Sequence, residues 1–280
     1  MQLSQDLSRR LEALDRARLQ GKLTPAANVP APQPGRLAPR PLHQLVPGRA
    51  VSSSAGSFYC INAWASTLGP AASSVLHRCR QAAAALAARP AGPAQPVGLP
   101  AVSSSAALYL DLETCGFAGS PIFLIGTAWW RRNDLRLVQL LARDYAEERA
   151  IIHYAARLLR NRAVLISFNG KSFDWPMLCE RAARHRVELP ASLSHCDLLH
   201  PARRVWPDLP NHRLTTLQTF ICKRRPTGDI DGWQVPQAYH DFVRTGNPAL
   251  VASIVKHNLW DLLTLPELLA MLLSQRPDCL

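Results

Sequence analysis

The order in which apolar strands and amphipathic helices follow one another from Ala106 onward leaves this chain few ways to fold. ALYLDLET, PIFLIGTAWW and LRLVQLLA are three strand-like runs, and the turn signal RRND between the last two marks an antiparallel hairpin. YAEERAIIHYAARLLRN then places Ala146, Ala150, Ile151, Tyr154, Ala155, Leu158 and Leu159 at helical spacing, with acids in the first turn. A buried-type strand, AVLISFNG, and a helix, FDWPMLCERAARHRV, opened by an aspartate and Pro176, continue the alternation. SLSHCDLLHPARRVW reads as a strand entering a loop or helix, LTTLQTFI as a helix and DIDGWQVPQAY as a loop. NPALVASIVKHNLWDLLTLPELLAMLL is a long helical tract that Pro266 is expected to break or restart. The order β-β-β-α-β-α-β-α-α predicts an α/β fold, a mixed sheet with helices packed on it.

The region before it has another texture. Of the 280 residues, 32 are Lys or Arg and 20 Asp or Glu, a formal charge of +12, and the first 106 residues supply eight of those excess charges. Residues 1–50 read as a basic, Pro-rich, partly disordered arm, and 51–105 as a small strand-and-helix segment with a linker. GSFYCINAWAS is the strand candidate there and SSVLHRCRQAAAALAARP the helix. A basic arm either holds nucleic acid through its phosphates or simply keeps the chain in solution. The basic excess argues for a polyanionic partner. No apolar run reaches membrane-spanning length, and the opening residues lack the apolar core of a signal peptide, so no membrane attachment is expected. Seven scattered cysteines with no C-x-x-C pair suit reduced thiols and a cytoplasmic location.

Four acids carry the candidate chemistry. Asp111 and Glu113 end the first strand at alternate positions, which puts both carboxylates on one face. Two adjacent anions repel unless a cation lies between them, and Mg²⁺ or Mn²⁺ takes oxygen ligands of this kind. Asp174 opens a helix just after the turn Asn169-Gly170-Lys171. Asp261 interrupts an otherwise apolar helical stretch, with His257 four residues earlier on the same helix face. Singly each has an ordinary reading, Asp174 as an N-cap and His257 as a core histidine.

Together, LYLDLETCGF, ISFNGKSFDWPML and HNLWDLLTL resemble the three motifs of the DEDD exonuclease superfamily, which has a ribonuclease H-like fold. More narrowly, residues 107–272 are similar to the YprB-type ribonuclease H-like domain family, which makes residues 106–273 the expected nuclease domain. The resemblance implies a 3′–5′ exonuclease acting on single-stranded DNA or RNA. Asp111, Glu113, Asp174 and Asp261 would hold two Mg²⁺ or Mn²⁺ ions, about 3.5–4 Å apart. His257 would orient or deprotonate the attacking water, although its spacing from Asp261 is that of the family's tyrosine type rather than its histidine type. Thr114 and Gly116 fall where the backbone approaches the terminal nucleotide in relatives. Phe117 serves as a wedge against a base or as packing.

Asn169 contacts substrate or merely forms the turn, and Lys171 meets a phosphate or only solvent. Asp197 and His200 read as structural, the acid satisfied by the arginines after it. Arg203, Arg204, Arg213, Lys223, Arg224 and Arg225 are expected as a basic rim along the nucleic-acid backbone. The competing readings are a nucleic-acid-binding module without turnover and a structure-selective endonuclease with the same metal pair. DNA and RNA remain equal candidates, and no protein partner is indicated.

Overall fold

The computed structural model describes residues 41–87, 105–191, 193–224, 230 and 232–275. The arm up to residue 40, the linker stretch 88–104 and Arg225 lie outside them. The elements in chain order are α1 (Leu42–Leu45), β1 (Arg49–Ser53), β2 (Gly56–Trp64), α2 (Pro70–Ala87), β3 (Ala107–Thr114), β4 (Ile122–Arg131), β5 (Asp134–Leu141), α3 (Glu148–Leu159), β6 (Val164–Ser167), α4 (Asp174–Arg184), β7 (Ser194–Asp197), α5 (Leu199–Val205), α6 (Leu214–Phe220), α7 (Val235–Thr245) and α8 (Pro248–Gln275). The seven strands among the described residues form one mixed sheet in the order β1-β2-β5-β4-β3-β6-β7. The run β3-β6-β7 is parallel and the other neighbours are antiparallel.

Local chemistry accounts for most of this. The β4–β5 hairpin turns on Arg132 and Asn133, both left-handed (φ 50° and 61°), as a two-residue turn matched to strand twist requires. β4 is buried along almost its whole length, which explains its unbroken apolar run. Asp144 starts the turn leading into α3 by accepting from the N–H groups of Ala146 (2.9 Å) and Glu147 (3.2 Å). One apolar cluster draws on α3, α4 and α7, the other on α2, α6 and the C-terminal half of α8, and α8 supplies residues to both. The segment after residue 49 joins the same sheet, because β2 pairs with β5 from Tyr59↔Leu141 to Trp64↔Arg136.

Two sequence expectations give way. VPQAY, the end of the stretch expected as loop, is the first part of helix α7. Its Pro236 falls in the first turn, where a missing N–H costs nothing, and Gly246 (φ 68°) caps the far end. Tyr239 stacks on Phe123 with centroids 4.0 Å apart and anchors that helix to the sheet. Pro266 does not break α8. Residues Leu262 to Ala270 are all buried, and that packing outweighs the roughly 3 kcal/mol that an interior proline costs. Among the described residues no helix is long and apolar enough to cross a membrane, and the six described cysteines are free.

Candidate active site

β3 delivers Asp111 and Glu113 to the sheet's centre at alternate positions, just before a register irregularity at Glu113 and Thr114. Asp174 is the first residue of α4, and the Leu112 N–H donates to its Oδ1 at 3.0 Å, which ties that helix start to β3. The loop between β6 and α4 passes so close that a methyl group on Gly170 would lie 2.3 Å from Ser167 Oγ and 3.2 Å from Asp174 Oδ2. Asn169 is left-handed there (φ 61°), and Asp197 clamps the turn by accepting from Asn169 N–H (2.7 Å) and Lys171 N–H (3.0 Å). Asp197 is therefore satisfied by backbone donors, not by the arginines that follow it. From α8, Asp261 receives the Gln218 amide on Oδ1 at 2.6 Å, and His257 Nε2 lies 3.2 Å from its Oδ2. Asn258 Nδ2 donates to Asp111 Oδ2 at 2.7 Å.

The four acids share one electrostatic environment. Burial, then repulsion from Asp261, Glu113 and Asp174, pushes Asp111 well above the usual carboxylate range, with the Asn258 hydrogen bond opposing. Glu113 is raised by burial and by Asp261 and Asp174. Asp174 is pushed up to about 7, chiefly by burial, against the opposing Leu112 bond and with Asp197 and Asp261 adding repulsion. Among the described residues no three His, Cys, Asp or Glu side chains stand ready-assembled around one metal position. The donor set nonetheless fits a hard divalent cation: four carboxylates, all oxygen, whose strongest mutual influence is repulsion that a cation would cancel.

A raised carboxylate has a definite sign in stability. Asp174 favours the folded state fully below its ordinary pKa near 3.9, and the advantage is lost as pH rises through about 7. In EDTA, Asp174→Asn is expected to flatten that decline and raise Tm near neutral pH by a few degrees, at about 2–4 °C per kcal/mol. Thermal unfolding across this pH range checks it, and an unchanged slope would show that Asp174 ionises without hindrance.

Beside the acids lies a cavity of about 650 Å³, lined by Asp111, Asp174, Thr114, Gly116, Phe117 and Asn169 among others. Thr114 Oγ1 donates to Gly116 O (2.6 Å), and Gly116 holds a φ of 148° with little room for a side chain. Phe117 is 92% exposed and Phe173, also on the cavity, 64%. Such exposure excludes core packing for Phe117.

Sequence reading passed over Phe173, although a large apolar residue directly before Asp174 was a visible signal. It also passed over Asn258, Gln218 and Gln139, of which only Gln139 carried a local signal, as a lone amide in an apolar strand. Lys171, Arg203, Arg204, Arg213 and Lys223 are exposed, but none lines the cavity. Arg224 leaves the expected rim, because it turns inward to pair with Glu267 at 2.9 Å.

Residues 108–273 match a sequence family described as the RNase_H superfamily. Over 171 residues, 57% of the chain, the sequence is 31% identical to the uncharacterized protein YprB of Bacillus subtilis (strain 168), and the match spans 40% of that protein. The structure of the family B DNA polymerase from the hyperthermophilic archaeon Pyrobaculum calidifontis is similar with a TM-score of 0.50 and 18% identity, covering 60% of this chain and 24% of the polymerase. That likeness is one of fold.

Proposed function

The chain belongs to the RNase_H superfamily, and on that footing we propose that it is a metal-dependent nuclease that hydrolyses single-stranded nucleic acid from the 3′ end. The observation carrying this reading is the convergence of Asp111, Glu113, Asp174 and Asp261, with Asp261, Glu113 and Asp174 all raising the pKa of Asp111, beside a cavity with two exposed aromatic rings. These four residues would hold two Mg²⁺ or Mn²⁺ ions, which would supply positive charge to stabilise a nucleophilic water and a leaving 3′-oxygen. His257, braced by Asp261, orients that water or takes its proton. Phe117 and Phe173 stack on the last bases, a contact that every base offers and that reads no sequence. The backbone around Thr114 and Gly116 approaches the terminal sugar. Asn169 borders the same cavity, while Lys171, Arg203 and Arg204 meet phosphates further along the strand.

The test is digestion of 5′-labelled single-stranded DNA and RNA with Mn²⁺ or Mg²⁺, with EDTA and a 3′-blocked strand as controls. A ladder shortening from the 3′ end, absent in both controls, is the expected result. Cutting of a closed circle would make the chain an endonuclease. Binding without cleavage of any substrate would overturn the enzyme reading in favour of an inert binding module.

Phe117→Ala and Phe173→Ala are each expected to weaken binding of a single strand in EDTA by about 1–3 kcal/mol, roughly 5- to 150-fold in Kd. Fluorescence anisotropy reads this directly, and an unchanged Kd in both variants would remove the rings from the binding surface.

A further inference from the structure

Asp111, Gly126 and Gln139 sit side by side on three adjacent strands, Asp111 opposite Gly126 and Gly126 opposite Gln139. The buried side chain of Asn258 lies across this row from α8. Its Nδ2 donates to Asp111 Oδ2 (2.7 Å) and to the Asp111 backbone oxygen (3.2 Å), and its Oδ1 accepts from Gln139 Nε2 (2.8 Å). Gln139 Nε2 also donates to Val255 O at 2.8 Å. A backbone carbonyl can only accept, so Val255 fixes which end of Gln139 is the donor. Gln139 in turn commits the Asn258 oxygen, which leaves the Asn258 NH₂ facing Asp111. Gly126 makes room for this: a methyl group there would lie 2.2 Å from Asn258 Oδ1 and 2.8 Å from its Cγ. The arrangement has a cost, since the buried Oε1 of Gln139 has no partner among the described residues.

The geometry points to Asn258 as a positioning residue. Held in polarity by Gln139 and seated in the notch at Gly126, it locks one carboxylate oxygen of Asp111 and turns the other toward the divalent cation. This rests on the reading of the four acids as a metal site. Outer partners that orient a ligand typically change metal affinity by about 10- to 100-fold when removed.

The experiment titrates the full chain with Mn²⁺ alone by calorimetry and follows unfolding of the same variants in EDTA. Asn258→Ala is expected to bind Mn²⁺ about 10- to 100-fold more weakly and to melt earlier. Adding Gly126→Ala to it refills the vacated notch, so the double variant regains melting temperature while its Mn²⁺ affinity stays low. Asn258→Leu, which keeps the volume without any donor, is expected to match it in affinity and to bind a single strand in EDTA as the wild type does. A filler role alone would restore affinity together with stability, and a folded variant lacking the amide that binds Mn²⁺ like the wild type overturns the assignment. Asp111→Ala separates the two readings. If it loses the ion and Asn258→Ala does not, only the positioning role falls; if the wild type takes up no Mn²⁺, both fall.

Discussion

Asp111→Ala is expected to reduce cleavage of a single-stranded 3′ end by about 10³-fold or more, equivalent to about 4 kcal/mol of barrier. Asp111 is the acid on which the other three act most plainly, so its removal breaks the donor set at its centre. The same change removes a buried anion from beside Asp261, Glu113 and Asp174, and the metal-free protein is therefore expected to melt at the same temperature or higher. Asn258 keeps a partner in the variant, the backbone oxygen of residue 111 at 3.2 Å. Opposite movement of activity and stability is the signature of a site held under electrostatic strain for function. Parallel loss of both would show that Asp111 supports the fold instead. Retained cleavage, measured on the 5′-labelled strand, would sink the proposed chemistry.

The second large effect is structural. Glu148 at the start of α3 and Arg181 on α4 are both buried, and Arg181 donates to Glu148 through Nε (2.7 Å) and a terminal nitrogen (2.5 Å). The carboxylate also takes His185 Nε2 (2.8 Å) and the Ile122 N–H (2.8 Å), while Arg181 reaches on to Gly119 O at 2.9 Å. Arg181→Met leaves that carboxylate underbonded in the interior and is expected to cost about 3–5 kcal/mol at neutral pH. Burial alone would raise the Glu148 pKa, but its hydrogen bonds to Arg181, His185 and Ile122 hold it below the ordinary value. Its contribution is thus complete above about pH 4.3 and fades as pH falls through the lowered pKa. The penalty in urea unfolding should shrink on acidification, and Glu148→Leu added to Arg181→Met should recover much of it. A cost below about 1 kcal/mol would mean that water reaches the carboxylate. Since Gly119 belongs to the loop that carries Phe117, a further effect on strand binding is expected.

The acids were legible because each lies in a short string whose local structure places it: a strand end for Asp111 and Glu113, a helix start for Asp174, an apolar helix for Asp261. The order of strands and helices was legible for the same reason, periodicity being a local property. What escaped depended on pairing across distance. Asn258 acquires its role only when Gly126 and Gln139 are brought into register beneath it, and no pattern within HNLWD reveals that. Arg224 looked like a surface cation until the fold set Glu267 beside it. Helix α7 was misread because Gly232 and Pro236 are turn residues in most settings, yet here they precede and begin a helix that Tyr239 fastens to Phe123. Pro266 was misread because burial, which keeps α8 intact, is not written in the residue itself.

The pairing of β2 with β5 separates the limits of descent from the limits of what can stand alone. The family match begins at residue 108, yet the described residues from 41 onward belong to one compact unit. Trimmed to the match, the chain would lose one of the two partners of LRLVQLLA and expose a long apolar edge, the kind of strand that recruits a neighbour and precipitates. It would also strip α2 from the C-terminal half of α8. The ribonuclease H-like core is thus expected not to suffice by itself, with the hairpin and helix ahead of it serving as a built-in guard against aggregation.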